Sequence, residues 1–107
     1  MRIKGIVTLA AVILTAKLGR IEYSGHVETY YNLNMNRIVE RADSYFGLND
    51  VYAIREDGVK TYNGLVIVAT DWNVYPYGSL VETSRGVGVV LDTGEFTGNT
   101  VDLAVNW

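Results

Sequence analysis

Turn-forming residues interrupt the sequence every few positions from Ile21 to the end, and this spacing constrains the fold more than any other feature. The runs between turns are rich in valine, isoleucine, threonine and tyrosine, which is typical of strands. The Asn63-Gly64 pair predicts a type I′ hairpin, because that turn needs positive φ at both positions. Strands are predicted over residues 27–31, 52–55, 59–62, 65–70, 80–83, 88–91 and 101–105.

One segment has the period of a helix instead. Its apolar stripe consists of Met35, Ile38, Val39, Ala42, Tyr45 and Phe46. Asn34 is a candidate N-cap, and Gly47 is expected to end the helix. A chain of 107 residues is long enough for one domain. The pattern therefore predicts a mainly β domain with one amphipathic helix, closed or nearly closed into a small barrel.

Composition excludes several classes of function. Nine basic and twelve acidic residues give a net charge of -3, and no basic cluster is present, so nucleic acid is not an expected partner. The absence of cysteine excludes disulfides and thiolate metal sites. His26 is the sole histidine, which leaves little scope for a metal centre or a histidine-based triad. We expect neither a metal nor a cofactor.

The N-terminus has the pattern of a targeting segment. Arg2 and Lys4 precede an apolar run of twelve residues from Gly5 to Ala16. In a helix these twelve apolar residues would span about 18 Å, against a hydrocarbon core of roughly 30 Å. A basic start, a short apolar stretch and a small residue at its end predict a secretory signal within residues 1–18. The folded domain would then occupy residues 19–107.

Two other interpretations of this run stay open. An uncleaved segment would act as a short anchor, giving weak membrane association through residues 1–16. The β-branched residues Ile6, Val7, Val12 and Ile13 would also suit a first buried strand.

Three aspartates stand beside apolar strands in the last third of the chain. Asp71 and Asp92 each follow such a run, and Asp102 lies within one. Aspartate is costly to bury, and carboxylates brought together repel each other, which raises at least one pKa. A carboxylic acid that keeps its proton near neutral pH suits general acid catalysis at a glycosidic oxygen. Structural carboxylates also occupy such positions, so spacing alone leaves both roles open.

The order of the surrounding motifs resembles the three-aspartate (3D) domain. The motifs are Val-Ala-Thr-Asp71, Tyr75-Pro76-Tyr77-Gly78-Ser79, Val90-Leu91-Asp92-Thr93-Gly94 and Val101-Asp102-Leu103. The resemblance covers residues 66–107. It implies a small six-stranded double-psi β-barrel, similar to the membrane-bound lytic transglycosylase A family and to stationary-phase muralytic proteins.

The resemblance also implies a reaction. Enzymes of this kind cleave the bond between N-acetylmuramic acid and N-acetylglucosamine in peptidoglycan without water, leaving a 1,6-anhydro sugar. By this similarity Asp102 is the acid/base residue, and Asp92 and Asp71 raise its pKa and orient it. The turn at Thr93 and Gly94 would present backbone donors to the sugar. The implied partner is a peptidoglycan glycan strand, and the implied location is the cell wall or the extracellular space.

One departure leaves other functions open. The family has a second glycine where this chain has Glu95, and that side chain would narrow the groove or add a fourth charge. A non-catalytic module that binds cell-wall glycan is the first alternative. A phage-borne accessory protein that binds a host or virion partner is another.

Some further residues have two interpretations each. His26 would bind sugar or relay a proton, or serve the structure. Lys60 would pair with the aspartates or lie exposed beside the hairpin. Four aromatic residues would stack on sugar or belong to the core; they are Tyr77, Trp72, Tyr75 and Trp107.

Overall fold

A computed structural model describes residues 21–95 and 97–107 of the chain. The predicted signal or anchor at residues 1–18 lies outside the described residues. The elements are β1 (Ile21–Tyr23), β2 (His26–Tyr31), α1 (Asn36–Phe46), β3 (Tyr52–Ile54), β4 (Lys60–Tyr62), β5 (Leu65–Thr70), β6 (Leu80–Thr83), β7 (Gly86–Asp92) and β8 (Thr100–Ala104). Over these ranges the protein is mainly β with one helix, which confirms the fold class predicted from the sequence.

All the strands belong to one branched sheet. Its main order is β1-β2-β8-β5-β4-β3, and β7 pairs with β5 while carrying β6. Strands β2 and β8 are parallel, as are β5 and β7, and the other pairs are antiparallel. The sheet has eight strands, two more than the predicted six, and the pairings among the described residues do not close it into a ring.

Strand β5 is the centre of this sheet. Its first part pairs with β4, its last part pairs with β8, and β7 runs parallel to it. Because it is covered on both faces, its residues from Val66 to Thr70 are all buried. The continuous apolar run from Leu65 to Ala69 is the sequence signal for this position.

The sheet buries apolar side chains on both faces. One face carries the cluster of Tyr30, Val59, Val66, Val68, Val81, Val90, Val101, Leu103 and Val105. The other face packs against α1, and the cluster between them consists of Met35, Ile38, Ala42, Tyr62, Ile67, Val89, Leu91 and Ala104. Alternation along each strand therefore divides the residues between these two faces.

The predicted end of the helix at Gly47 is confirmed, whereas the predicted N-cap is wrong: Met35, not Asn34, is the N-cap, and it makes no side-chain capping bond. The Asn34 side chain accepts a hydrogen bond of 2.9 Å from the Asn36 N–H, so it closes the turn that precedes the helix. Gly47 ends the helix with φ 70°, and its N–H donates to the Asp43 carbonyl. Within the described residues no helix is long and apolar enough to cross a membrane.

The last turn of α1 differs from the predicted stripe. Ile38 and Ala42 are buried, whereas Tyr45 and Phe46 are exposed. Both rings lie against the Gly78 turn, where a β-carbon would be 3.4 Å from the Tyr45 ring and 3.6 Å from the Phe46 ring. The Phe46 ring centroid also lies 6.0 Å from that of Tyr62 on β4. The sequence places these aromatics on the apolar stripe, and the stripe continues one turn beyond the part of α1 that the sheet buries.

Two smaller predictions have clear outcomes. Asn63 and Gly64 both have positive φ and join β4 to β5, as a type I′ hairpin requires. Lys60 is neither exposed nor paired with an aspartate. Its Nζ is buried and donates to Asn32 Oδ1 at 2.8 Å and to the Leu33 carbonyl at 2.6 Å. Burial lowers the pKa of Lys60.

Candidate functional site

A row of four residues crosses the sheet at one end. Thr29 on β2 is in register with Asp102 on β8, Asp102 with Ala69 on β5, and Ala69 with Asp92 on β7. Residues in register on neighbouring strands share a face of the sheet. Asp102 and Asp92 therefore flank the Ala69 methyl group, with their Cα atoms roughly 10 Å apart across two strand spacings.

A β-bulge brings Asp92 into this row. Val90 pairs with Val68 and Asp92 pairs with Ala69, so Leu91 is the extra residue on β7. Without the bulge, strict alternation would turn Asp92 towards the buried face that holds Val90 and Thr70. The irregularity thus turns the carboxylate of Asp92 to the side of Asp102.

The surroundings of Asp102 raise the pKa of its carboxyl group. Burial raises its pKa, a hydrogen bond from Thr29 lowers it, and the negative charge of Asp92 raises it further, with a net rise. The Thr29 hydroxyl donates to Asp102 Oδ1 at 2.8 Å. That bond holds the carboxyl group in one orientation.

Asp92 is held from several sides. Tyr31 Oη donates to Asp92 Oδ2 at 3.2 Å, and the Thr93 N–H donates to Asp92 Oδ1 at 2.8 Å. The Trp72 indole N–H donates to the Asp92 carbonyl at 2.8 Å. Burial and then the charge of Asp92 raise the pKa of Tyr31 far above its ordinary value, so this phenol is a proton donor to the carboxylate.

Asp71 lies at the same end of the sheet, two residues beyond Ala69, but has different partners. Its carboxylate accepts hydrogen bonds from the backbone N–H groups of Asn73 at 2.9 Å and Gly98 at 3.0 Å. These two bonds lower its pKa, and neither Asp92 nor Asp102 contributes to the shift. The structure therefore couples two of the three predicted aspartates and uses Asp71 to join two loops.

The turn after Asp92 serves the site itself. Thr93 Oγ1 donates to the Thr70 carbonyl at 2.7 Å, so both its hydroxyl and its backbone N–H have acceptors within the protein. Gly94 and Glu95 are exposed beyond it. The predicted contact of Thr93 and Gly94 with a sugar stays a prediction.

His26 points away from the aspartates. Alternation along β2 puts His26, Glu28 and Tyr30 on the opposite face from Thr29. The His26 ring is buried, with Nε2 2.9 Å from Glu28 Oε2. The Ser84 hydroxyl and backbone N–H donate to the same carboxylate at 2.6 Å and 2.9 Å. Of its two predicted roles, this environment supports the structural one.

The four candidate aromatics separate into three environments. Trp72 and Tyr77 lie together beside Asp92, with ring centroids 5.4 Å apart. Tyr75 is half-buried and packs against the apolar cluster on the face away from α1, so it contributes to the core. Trp107 is exposed near the C-terminus, where its carbonyl accepts a 3.4 Å hydrogen bond from Asn32.

Sequence reasoning did not assign roles to Thr29, Tyr31 or Ala69. Thr29 and Tyr31 share a face of β2 by alternation, but nothing in the sequence indicates that β2 lies beside β8. Ala69 is a small residue in a run of larger apolar ones, which is a weak signal for space beside it. Within residues 21–95 and 97–107, no cluster of three or more histidine and acidic side chains could hold a metal ion.

Comparison with known proteins adds no relative. No protein-family model matches the sequence, and a search of curated proteins finds no significant match.

Proposed function

We propose that this protein is a lytic transglycosylase that cleaves the glycan strands of peptidoglycan. The observation that carries the proposal is the row in which Asp102, held by Thr29, faces Asp92 across the small side chain of Ala69. A carboxyl group with a raised pKa is suited to general acid catalysis. The order of the sequence motifs, which resembles the 3D domain, supplies the reaction class.

The proposed reaction uses one residue twice. The Asp102 carboxyl gives its proton to the glycosidic oxygen, and the bond from that oxygen to the anomeric carbon breaks. The C6 hydroxyl oxygen of the same sugar then bonds to the anomeric carbon, and its proton passes to the Asp102 carboxylate. Asp92 favours the protonated form of Asp102 before the first step. Thr29 positions the carboxyl group in both steps.

The proposal includes a double-psi β-barrel and a location in the cell wall. Two parallel strand pairs in an otherwise antiparallel sheet support such a barrel. Glu28 also joins β2 to the β6–β7 turn across the gap that strand pairing leaves. A secreted protein would meet its glycan substrate outside the cell.

A non-catalytic module that binds cell-wall glycan is the second candidate. The internal bonding of Thr93 favours it, because donors that the resemblance assigns to the catalytic turn are already used within the protein. Glu95 also stands where the family has its second glycine. The test is mass spectrometry of purified peptidoglycan after incubation with the protein. Anhydro-muropeptides would support the enzyme. Glycan binding without these products would favour the module.

A further inference from the structure

Four aromatic side chains form a continuous surface that starts at the candidate site. We call it the aromatic ridge, and it consists of Trp72, Tyr77, Tyr45 and Phe46. Successive ring centroids lie 5.4, 5.0 and 4.8 Å apart. The ridge begins at the indole whose N–H donates to the Asp92 carbonyl, and it ends on the last turn of α1.

Three of the four ridge residues are exposed, and Tyr77 between them is half-buried. Tyr45 is 64% exposed, Phe46 38% and Trp72 37%, which is unusual for aromatic residues in mutual contact. Aromatic groups left at the surface beside a polar site mark a binding surface more often than scattered apolar residues do.

The ring geometry makes the ridge rigid. The successive ring planes meet at 73°, 88° and 86°, which is the edge-to-face arrangement that aromatic pairs prefer. The Gly78 turn, with φ 83°, lies directly against the Tyr45 and Phe46 rings and supports them. Side chains that are already ordered lose little conformational entropy when a ligand binds.

The chemistry of the ridge fits a sugar chain. A pyranose ring presents an apolar face of C–H groups that packs on an aromatic face, while its hydroxyls stay hydrated. Because neighbouring rings meet edge to face, the exposed rings of Trp72 and Tyr45 offer separate contacts on either side of Tyr77, and these would hold different sugars of one chain. The ridge thus extends the contact made at Asp92 and Asp102.

A recess beside the ridge indicates which kind of sugar would bind there. It has a volume of about 170 Å³ and is lined mostly by apolar residues, among them Phe46, Leu65 and Leu80, together with Asn63. An acetamido group has an apolar methyl and a polar amide, and both would find matching groups there. Unsubstituted sugars would leave the apolar part of the recess empty.

We propose that the aromatic ridge binds a chain of N-acetylated hexosamines, with sugar faces on the exposed rings of Trp72 and Tyr45 and an acetamido group in the recess beside Phe46. The binding of such a chain would extend the proposed function, and its role in the cell rests on that function. The same chemistry occurs in chitin fragments and in peptidoglycan glycan, so the test uses both.

The two tryptophans of the chain provide a matched pair of reporters. In Trp107→Phe the remaining tryptophan lies on the ridge, and in Trp72→Phe it lies outside it. Titration of the full chain with chitotetraose should change the Trp72 emission saturably and leave the Trp107 emission unchanged. Cellotetraose, which lacks the acetamido groups, should bind more weakly, and equal affinity would overturn the assignment of the recess.

The Tyr45→Ala change tests the ridge itself, in the Trp107→Phe background. Tyr45 is exposed on a helix, where alanine is well tolerated, so folding should be retained. Affinity for chitotetraose and for pelleted peptidoglycan should each fall about tenfold. Loss confined to chitotetraose would assign the ridge to free chitin-type chains, and loss confined to peptidoglycan to wall glycan.

The result separates the ridge from the proposed reaction. Unchanged affinity in Tyr45→Ala, or no saturable emission change in Trp107→Phe, would overturn the ridge even if anhydro-muropeptides form. Tight, Tyr45-dependent binding without anhydro-muropeptides would uphold the ridge and overturn the transglycosylase.

Discussion

Asp102 is the residue on which the proposed chemistry depends most directly. Asparagine is nearly isosteric and keeps the contact with Thr29, but it cannot transfer a proton. Acid–base catalysis typically contributes about 10²–10⁴-fold, so Asp102→Asn should lose at least about 10²-fold of the rate of anhydro-muropeptide release. A thermal melt should show that the fold is retained.

Glu95→Gln is the matched control for that change. Glu95 is exposed in the turn beyond Asp92, so neutralising it should leave the rate close to that of the unmodified protein. Near-normal turnover by Asp102→Asn would remove Asp102 from the mechanism. Loss of turnover in Glu95→Gln alone would assign the acid to the turn.

Asp102 and Asp71 should give opposite pH dependences of stability. Burial raises the pKa of Asp102 above 3.8, so the folded state holds this proton more tightly, and the free energy of unfolding falls as pH rises from 3.8 through the raised pKa. Two backbone N–H donors lower the pKa of Asp71, so its contribution is present above 3.8 and is lost as pH falls through the lowered value.

Urea unfolding at a series of pH values can measure both effects. Relative to the unmodified protein, Asp102→Asn should gain stability as pH rises above 3.8, and Asp71→Asn should gain as pH falls below it. The same pH dependence in both variants would contradict the separate environments of the two carboxyl groups.

At the scale of elements, the small side chain of Ala69 on β5 separates Asp92 on β7 from Asp102 on β8. Ala69→Val would add two methyl groups between Asp92 and Asp102, in a position that is 3% exposed. Overpacking should cost about 1–3 kcal/mol of stability. In protein that is still folded, the added methyl groups between the two carboxylates should abolish turnover.

Ala53→Val makes the same chemical change on the exposed strand β3. Because nothing is crowded there, stability should change by less than about 0.5 kcal/mol and turnover should be retained. Both variants are compared by urea unfolding and by anhydro-muropeptide release. Full activity in Ala69→Val would show that substrate does not enter between the two carboxylates.

The sequence predicts the elements better than it predicts their partners. Strands β5 and β6 and the hairpin at Asn63-Gly64 follow from local patterns, because a turn needs only its own residues. The parallel neighbours of β5 and β2 depend on contacts between distant segments, which no local pattern encodes. The bulge at Leu91 is also invisible in the sequence, since it appears only when β7 is in register with β5.

At the scale of the whole molecule, the fully buried Glu28 connects β2 to the β6–β7 turn, although β2 is paired with neither β6 nor β7. Its carboxylate connects β2 to the β6–β7 turn through Ser84 and also bonds His26. Glu28→Ala would leave these buried donors without an acceptor. Removing one partner of a buried charged contact costs about 3–5 kcal/mol, and we expect a loss of that size in urea unfolding.

Two companion variants test the origin of that loss. Ser84→Ala removes one hydroxyl donor to the carboxylate and should cost about 1.5–3 kcal/mol. Glu82→Ala removes an exposed carboxylate from the same hairpin and should change stability by less than about 0.5 kcal/mol. Equal effects of Glu28→Ala and Glu82→Ala would refute the bridging role of Glu28.

The central position of β5 has a consequence for how the protein fluctuates. Amide hydrogens exchange with solvent when their hydrogen bonds open, and a strand bonded to three others opens only when several pairs separate together. The amides of β5 should thus be among the last to exchange, and those of the short strands β1 and β3 among the first. Opening at the sheet edges would then leave the spacing between Asp92 and Asp102 undisturbed, because the strands that carry the two aspartates are both paired with β5, the strand expected to exchange last.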